Sequence, residues 1–178
     1  MKELIYEIFA DYRTQIIFFH VVSAVVWVGG MIAMRFAAHN SFAEIESPLH
    51  RMERSAHALK RLFMIVTPFV VILIITAVIM AIGLGFREAA VDVNHNVIDE
   101  NAFFLYQLVH TKEAIWVIMA TNLGLMMYLR NKAEKLLIKG DATGAKSKLG
   151  LIGKYMVPLN IVLGLLAIYL GVFLRNAY

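Results

Sequence analysis

The sequence predicts an all-α fold, an integral membrane four-helix bundle with the N and C termini on the extracytoplasmic side. Three observations carry that expectation. Apolar residues fill 60% of the 178 positions and charged residues only 17%, with a mean hydropathy of +0.69. A soluble domain is about 45–50% apolar and about 25% charged. Residues 14–34, 62–86 and 155–174 carry no charge at all. Each stretch matches the ~20 residues a helix needs to cross ~30 Å of hydrocarbon at about 1.5 Å per residue. Finally, Lys and Arg divide unevenly. Five (Lys2, Arg13, Arg87, Lys112, Arg175) fall on the side of the termini and the other twelve on the opposite side, which places the latter in the cytoplasm.

Taken in order, residues 1–13 set Glu3 and Glu7 among Ile5, Ile8 and Phe9, the pattern of a short interfacial helix. The first span is expected at about 14–36. Its apolar run is too long for a cleaved signal peptide, and no A-x-A-like site follows it. Ser47-Pro48 reads as an N-cap with proline at the first helical position, so a helix begins near Pro48 and runs unbroken to Phe86. Its membrane part is expected at 62–86. The loop Arg87–Asn101 is acidic, as an outer loop can be. The third span, 102–129, embeds His110, Lys112 and Glu113 about two turns in. Ionisable groups at such depth cost at least ~2.5 kcal/mol each, which marks them as functional candidates. Gly140-Asp141 and Gly144 predict a turn or two of helix and then a flexible connection across 131–150. The fourth span is expected at 155–174. The loops 37–61 and 130–154 are then cytoplasmic, and residues 1–178 form one membrane domain.

Several chemistries are excluded at once. There is no cysteine, so no disulfide scaffold, thiolate zinc site, iron–sulfur cluster or thioether-attached haem. The net charge of +4 and pI near 9.4 follow from topology and do not point to nucleic acid.

Of the six histidines, only His20 and His110 lie within apolar helical sequence. Both sit ~9–12 Å below the outer starts of their helices. Two imidazoles at matching depth on different helices are what a bis-histidine b-type haem requires. The alternative is that each ring bonds a backbone carbonyl or a nearby hydroxyl. Trp27 follows His20 by seven residues and shares its face, either as the floor of a flat ligand or as packing. Gly29-Gly30 clears space for a second helix or for a macrocycle. Lys112 is about 200° from His110 around the helix, so the two do not share a face. Its ammonium suits a tetrapyrrole carboxylate, or else pairs with Glu113 at the headgroups. Arg35 and Arg61 stand nearest the cytoplasmic mouth and are the candidates for an anionic substrate there, with Glu53 as an ion partner. Asn122 and Asn160 suit interhelical ties. Met31, Met34, Met126 and Met127 raise a copper site, with packing the plainer reading.

In this order, FFHVVSAVVWVGGM, RLFMIVTP, VHTKEAIW and the late Val157-Pro158 resemble the HemJ-type protoporphyrinogen oxidase family, within a wider group that includes copper resistance D-like membrane proteins. The likeness covers almost the whole chain after the first dozen residues. Met34-Arg35 stands where the family has Leu-Pro-Arg, and His39 is shifted from that family's histidine. The resemblance implies haem b and oxidation of protoporphyrinogen IX to protoporphyrin IX in a bacterial inner membrane. It implies His20 as an axial ligand and His110 as a second ligand or pocket residue. Trp27, Gly30 and Lys112 would adjoin the cofactor, and Lys112 with Arg35 would act on substrate. Implied partners are membrane lipid, the porphyrinogen, and a quinone or respiratory-chain protein as electron acceptor. Self-association is left open. Two other readings stay in play: a cytochrome b-type electron-transfer subunit without porphyrin chemistry, and a copper-handling protein.

Overall fold

The computed structural model describes residues 2–177, and they are helical nearly throughout. Helix α1 (Lys2–Ala43) includes a π-type turn at Met34–Ala38. It is followed by α2 (Pro48–Gly83), the short α3 (Phe86–Ala90), α4 (Glu100–Ile138) and α5 (Ala142–Ala177), the last with a π-type turn at Ile152–Met156. The described residues contain no strand, only an isolated bridge between Val91 and Val97. By length and composition α1, α2 and α5 are apolar enough to cross a membrane. Helix α4 falls short because His110, Lys112, Glu113 and Asn122 interrupt its apolar run.

Local chemistry explains where the helices start and stop. The Ser47 side chain accepts from the His50 amide, and Pro48 occupies the first helical turn, where its missing N–H costs nothing. Asp99 caps α4 through the Ala102 amide at 2.8 Å. Between α4 and α5 the chain is tighter than the flexible connection expected for 131–150. Gly140 adopts φ +80°, and the Asp141 amide reaches back to the Leu136 carbonyl at 2.9 Å. This is the glycine-ended motif that closes a helix C-terminus. The Asp141 carboxylate then caps the next helix through the Gly144 amide. The expected loops 37–61 and 130–154 are thus mostly helix. The long helices run on past the apolar stretches because nothing in their charged ends breaks a helix. The expected interfacial helix is the first part of α1, which bends at Tyr12 (φ −118°, ψ 23°) just before the charge-free run begins.

The four long helices pack around one core. Trp27, Met31, Phe63, Val66, Met119 and Met126 are at its centre. Helix α1 lies chiefly against α2, and the two approach closely at two glycines. A Cβ on Gly30 would press on Leu62, and one on Gly83 would collide with the Phe9 ring. Outward faces are apolar on all four long helices: Phe18, Ile75, Val117, Leu125 and Val162 are each more than two-fifths exposed. Polar side chains point inward instead, among them Ser23, Thr76, Asn122 and Asn160. That inversion is the pattern of a protein whose surroundings are apolar.

At the end with the termini Lys2 Nζ donates to Glu88 at 3.0 Å, tying the start of α1 to α3. That hydrogen bond holds the Glu88 carboxyl below its ordinary value near 4.5. Because the folded value is the lower one, the pair's stabilisation is present above about pH 4.5 and lost as pH falls through the folded value. Both side chains are about half exposed, so the contribution is below ~1 kcal/mol. Lys2→Ala should therefore lower thermal stability slightly at neutral pH and not at all near ~pH 2. Gly83→Ala should cost about 1–3 kcal/mol, since the Phe9 ring has to move. Unfolding followed by circular dichroism in detergent measures both.

Candidate functional site

The site grows from one face of α1, on which His20, Ser23 and Trp27 follow at helical spacing. His20 Nδ1 lies 3.0 Å from the Thr76 hydroxyl of α2. A hydroxyl has one proton, and Thr76 directs its own back to the Ile72 carbonyl at 2.8 Å and the Leu73 carbonyl at 3.0 Å. In the arrangement where that proton stays on the backbone, the Thr76 oxygen accepts and His20 is protonated on Nδ1, with its lone pair on Nε2. A histidine whose remote nitrogen is pinned in this way is oriented as a metal ligand.

Lys112 of α4 is within electrostatic range of the same ring. Its ammonium folds against the bare backbone of α5, 3.0 Å from where a Gly171 Cβ would be. Lys112 has no hydrogen-bond or ion-pair partner among the described residues. An ammonium held in a helical bundle without a counter-ion is costly, and the cost is relieved when an anion binds. One turn deeper on α1, the Ser23 hydroxyl and Trp27 Nε1 are also buried without partners.

His110 is placed differently. Its Nδ1 donates to the Glu113 carboxylate at 2.8 Å, and its ring meets Tyr106 edge-on. It is 54% exposed and lines a groove of about 250 Å³ at the end with the termini, with Lys2, Glu88 and Ile82. Residues 110 and 112 point to opposite sides of α4, Lys112 against Gly171 of α5 and His110 into the groove. The structure joins His20 to Thr76 and lays Lys112 against Gly171. The His110 ring is engaged by Glu113 instead, and no hydrogen bond links it to His20 among the described residues. A pinned imidazole such as His20 is the kind of donor a haem b would take.

The other sequence-derived candidates separate by depth. Trp27 is 1% exposed and belongs to the core. Gly30 opens toward Leu62 and Val66 of α2, so its missing side chain serves a second helix. Arg35 is half-buried in the π-type turn of α1, fifteen residues and roughly 22 Å along the axis from His20. It does not reach the His20–Lys112 pair. Met31 and Met126 are fully buried in the core, and no three His, Cys, Asp or Glu residues converge on a metal position among the described residues. Asn122 and Asn160 do tie α4 to α5. Asn122 Nδ2 donates to Asn160 Oδ1 and to the Met156 carbonyl, both at 2.8 Å.

Sequence reasoning missed Thr76 and Gly171. Thr76 left a trace, being with Thr67 one of two hydroxyls in the uncharged run 62–86. Gly171 follows Gly164 by seven residues and so shares its face, which is a packing signal as readily as a site signal. No protein-family model, curated protein or solved structure matches the chain.

Ser23→Ala tests whether the buried hydroxyl is truly without a partner. Deleting an unsatisfied group should leave stability unchanged or raise it by up to ~1 kcal/mol. A loss above ~1 kcal/mol in thermal unfolding would show that the hydroxyl holds something.

Proposed function

We propose that the chain is a multi-pass bacterial inner-membrane protein that binds haem b and oxidises protoporphyrinogen IX to protoporphyrin IX. One observation carries the reading: a ligand-ready imidazole, His20, lies beside an unpaired ammonium, Lys112, inside an apolar bundle. An iron tetrapyrrole bearing carboxylates has an electrophilic centre for the first and an anion for the second. The exposed apolar faces of α1, α2, α4 and α5 support four membrane spans. The excess of Lys and Arg at the far end supports extracytoplasmic termini.

In this reading His20 Nε2 holds the iron, and Thr76 keeps the proton on Nδ1. Lys112 pairs with a carboxylate of the cofactor or substrate, or accepts a proton at Nζ when neutral. Asn122, Asn160 and the core below keep the bundle rigid under the site. When bound, the haem supplies one-electron chemistry. The overall reaction releases six electrons and six protons, and the electrons pass to a quinone or a respiratory-chain partner. The substrate assignment rests on the resemblance of the four sequence segments. His110, paired with Glu113 at the mouth, is not a ligand in this reading, and Arg35 acts at the cytoplasmic face or only in topology.

The test is the dithionite-reduced spectrum of the protein purified from native-like expression. A Soret band is expected in the wild type and absent in His20→Ala. Thr76→Val should weaken haem affinity by about 10–100-fold, as loss of an outer-shell partner does. Lys112→Met should lower haem occupancy or abolish rescue of a strain lacking protoporphyrinogen oxidase. His110→Ala should keep the band. A wild type without haem, or a band that survives His20→Ala and vanishes with His110→Ala, would overturn the assignment.

A further inference from the structure

At the opposite end of the bundle a groove of about 420 Å³ opens between α2 and α4. Its base holds Lys60, Arg130 and Asn131, and its walls are formed by Met64, Pro68 and Met127. The exposed surface changes character at this level. Toward the His20 end α2 exposes Met64, Ile65 and Val71, and α4 exposes Leu125 and Tyr128. In the other direction α2 exposes Arg54, Lys60 and Arg61, and α4 exposes Asn131 and Lys132. The groove straddles that boundary, cationic on one side and apolar on the other.

Arg130 makes the base a built feature. It is 3% exposed, its Nε donates to the Ala56 carbonyl at 3.0 Å, and its terminal nitrogens hold Asn131 and the Glu134 carboxylate at 2.8–2.9 Å. These contacts use four of its five N–H groups, leaving one. Lys60 has no hydrogen-bond or ion-pair partner among the described residues. With Glu134 already engaged by Arg130, Lys60 leaves one positive charge in excess. An anion with a long apolar tail satisfies both halves of such a groove. A free anion would leave the walls bare, and an apolar ligand would leave the ammonium unpaired.

We propose that this groove binds an acidic phospholipid, its phosphate at Lys60 and the remaining Arg130 N–H and its acyl chain along Met64, Pro68 and Met127. Basic pockets between helices at the cytoplasmic face of a membrane recognise anionic headgroups by this combination. The site rests on the membrane reading and is independent of haem.

Native mass spectrometry of the full chain, released from nanodiscs of equal phosphatidylglycerol and phosphatidylcholine, tests it. The wild type should retain phosphatidylglycerol in preference. Lys60→Gln should cut that retention roughly fivefold and leave phosphatidylcholine unaffected. Met64→Trp, at an exposed wall position, should block the groove and reduce retention of the acidic lipid while the melting curve stays in place. Excess inorganic phosphate should not displace the lipid. Equal retention of the two lipids by the wild type, unchanged retention in Lys60→Gln, or displacement by phosphate alone would overturn the proposal. Failure of the chain to stay with carbonate-washed membranes would instead sink the membrane reading itself.

Discussion

Polar groups on the four long helices have their partners on one another, because the faces turned outward are apolar. That constraint orders the molecule by depth. At one level the His20 ring meets the Thr76 hydroxyl, with the Lys112 ammonium in electrostatic range. Lower down, Trp116 Nε1 of α4 donates to the Val70 carbonyl of α2 at 3.3 Å. Next come the carboxamides of Asn122 and Asn160, and last the guanidinium of Arg130 on the Ala56 carbonyl. Most of these links join two helices, so each fixes a register as well as satisfying a donor. Ser23 and Trp27 break the rule. Two unsatisfied buried donors on neighbouring turns of α1 distinguish that region from the rest of the interior among the described residues.

The two ends of the bundle then have different chemistry for a physical reason. The end with the termini carries few cations, and there Lys2 pairs with Glu88 while Glu113 accepts from His110. The other end holds most of the Lys and Arg, many of them on the exposed continuations of α2 and α4 beyond the apolar belt. The region of His20 therefore offers an anion one half-buried ammonium, whereas the far end offers a crowd of solvated charge. The separation between Arg35 and His20 follows from this. They share a helix but stand fifteen residues apart along it, and no single small substrate spans them.

Much of the architecture was legible in the sequence. The charge-free runs located α1, α2 and α5, and Ser47-Pro48 located a helix start to the residue, because a cap is a local event that needs only its own neighbours. The embedded charges of α4 mark the helix that carries both His110 and Lys112. What the sequence left undetermined was which of the two turns into the bundle toward α5. His110 and Lys112 lie at nearly equal depth, so depth could not choose between them. Rotation of α4 chooses, and rotation is set by distant contacts such as Trp116 with Val70 and Asn122 with Asn160. Thr76 was hidden for a similar reason: a hydroxyl in an apolar helix commonly bonds its own backbone, and this one does so while also accepting from the imidazole. Gly30 offered two readings, and only the position of Leu62 on the facing helix separates them.

The wide turn at Met34–Ala38 changes what spacing means along α1. In an unbroken α-helix, nineteen steps of about 100° would set His39 roughly a quarter turn away from His20. A π-type turn takes in one additional residue without advancing the rotation of the helix beyond it. The offset is cancelled, and His39 returns to the stripe that His20 begins. Counting residues between the two imidazoles therefore misstates their angular relation, and any alignment that matches this helix by separation alone will compare side chains from different faces beyond Ala38.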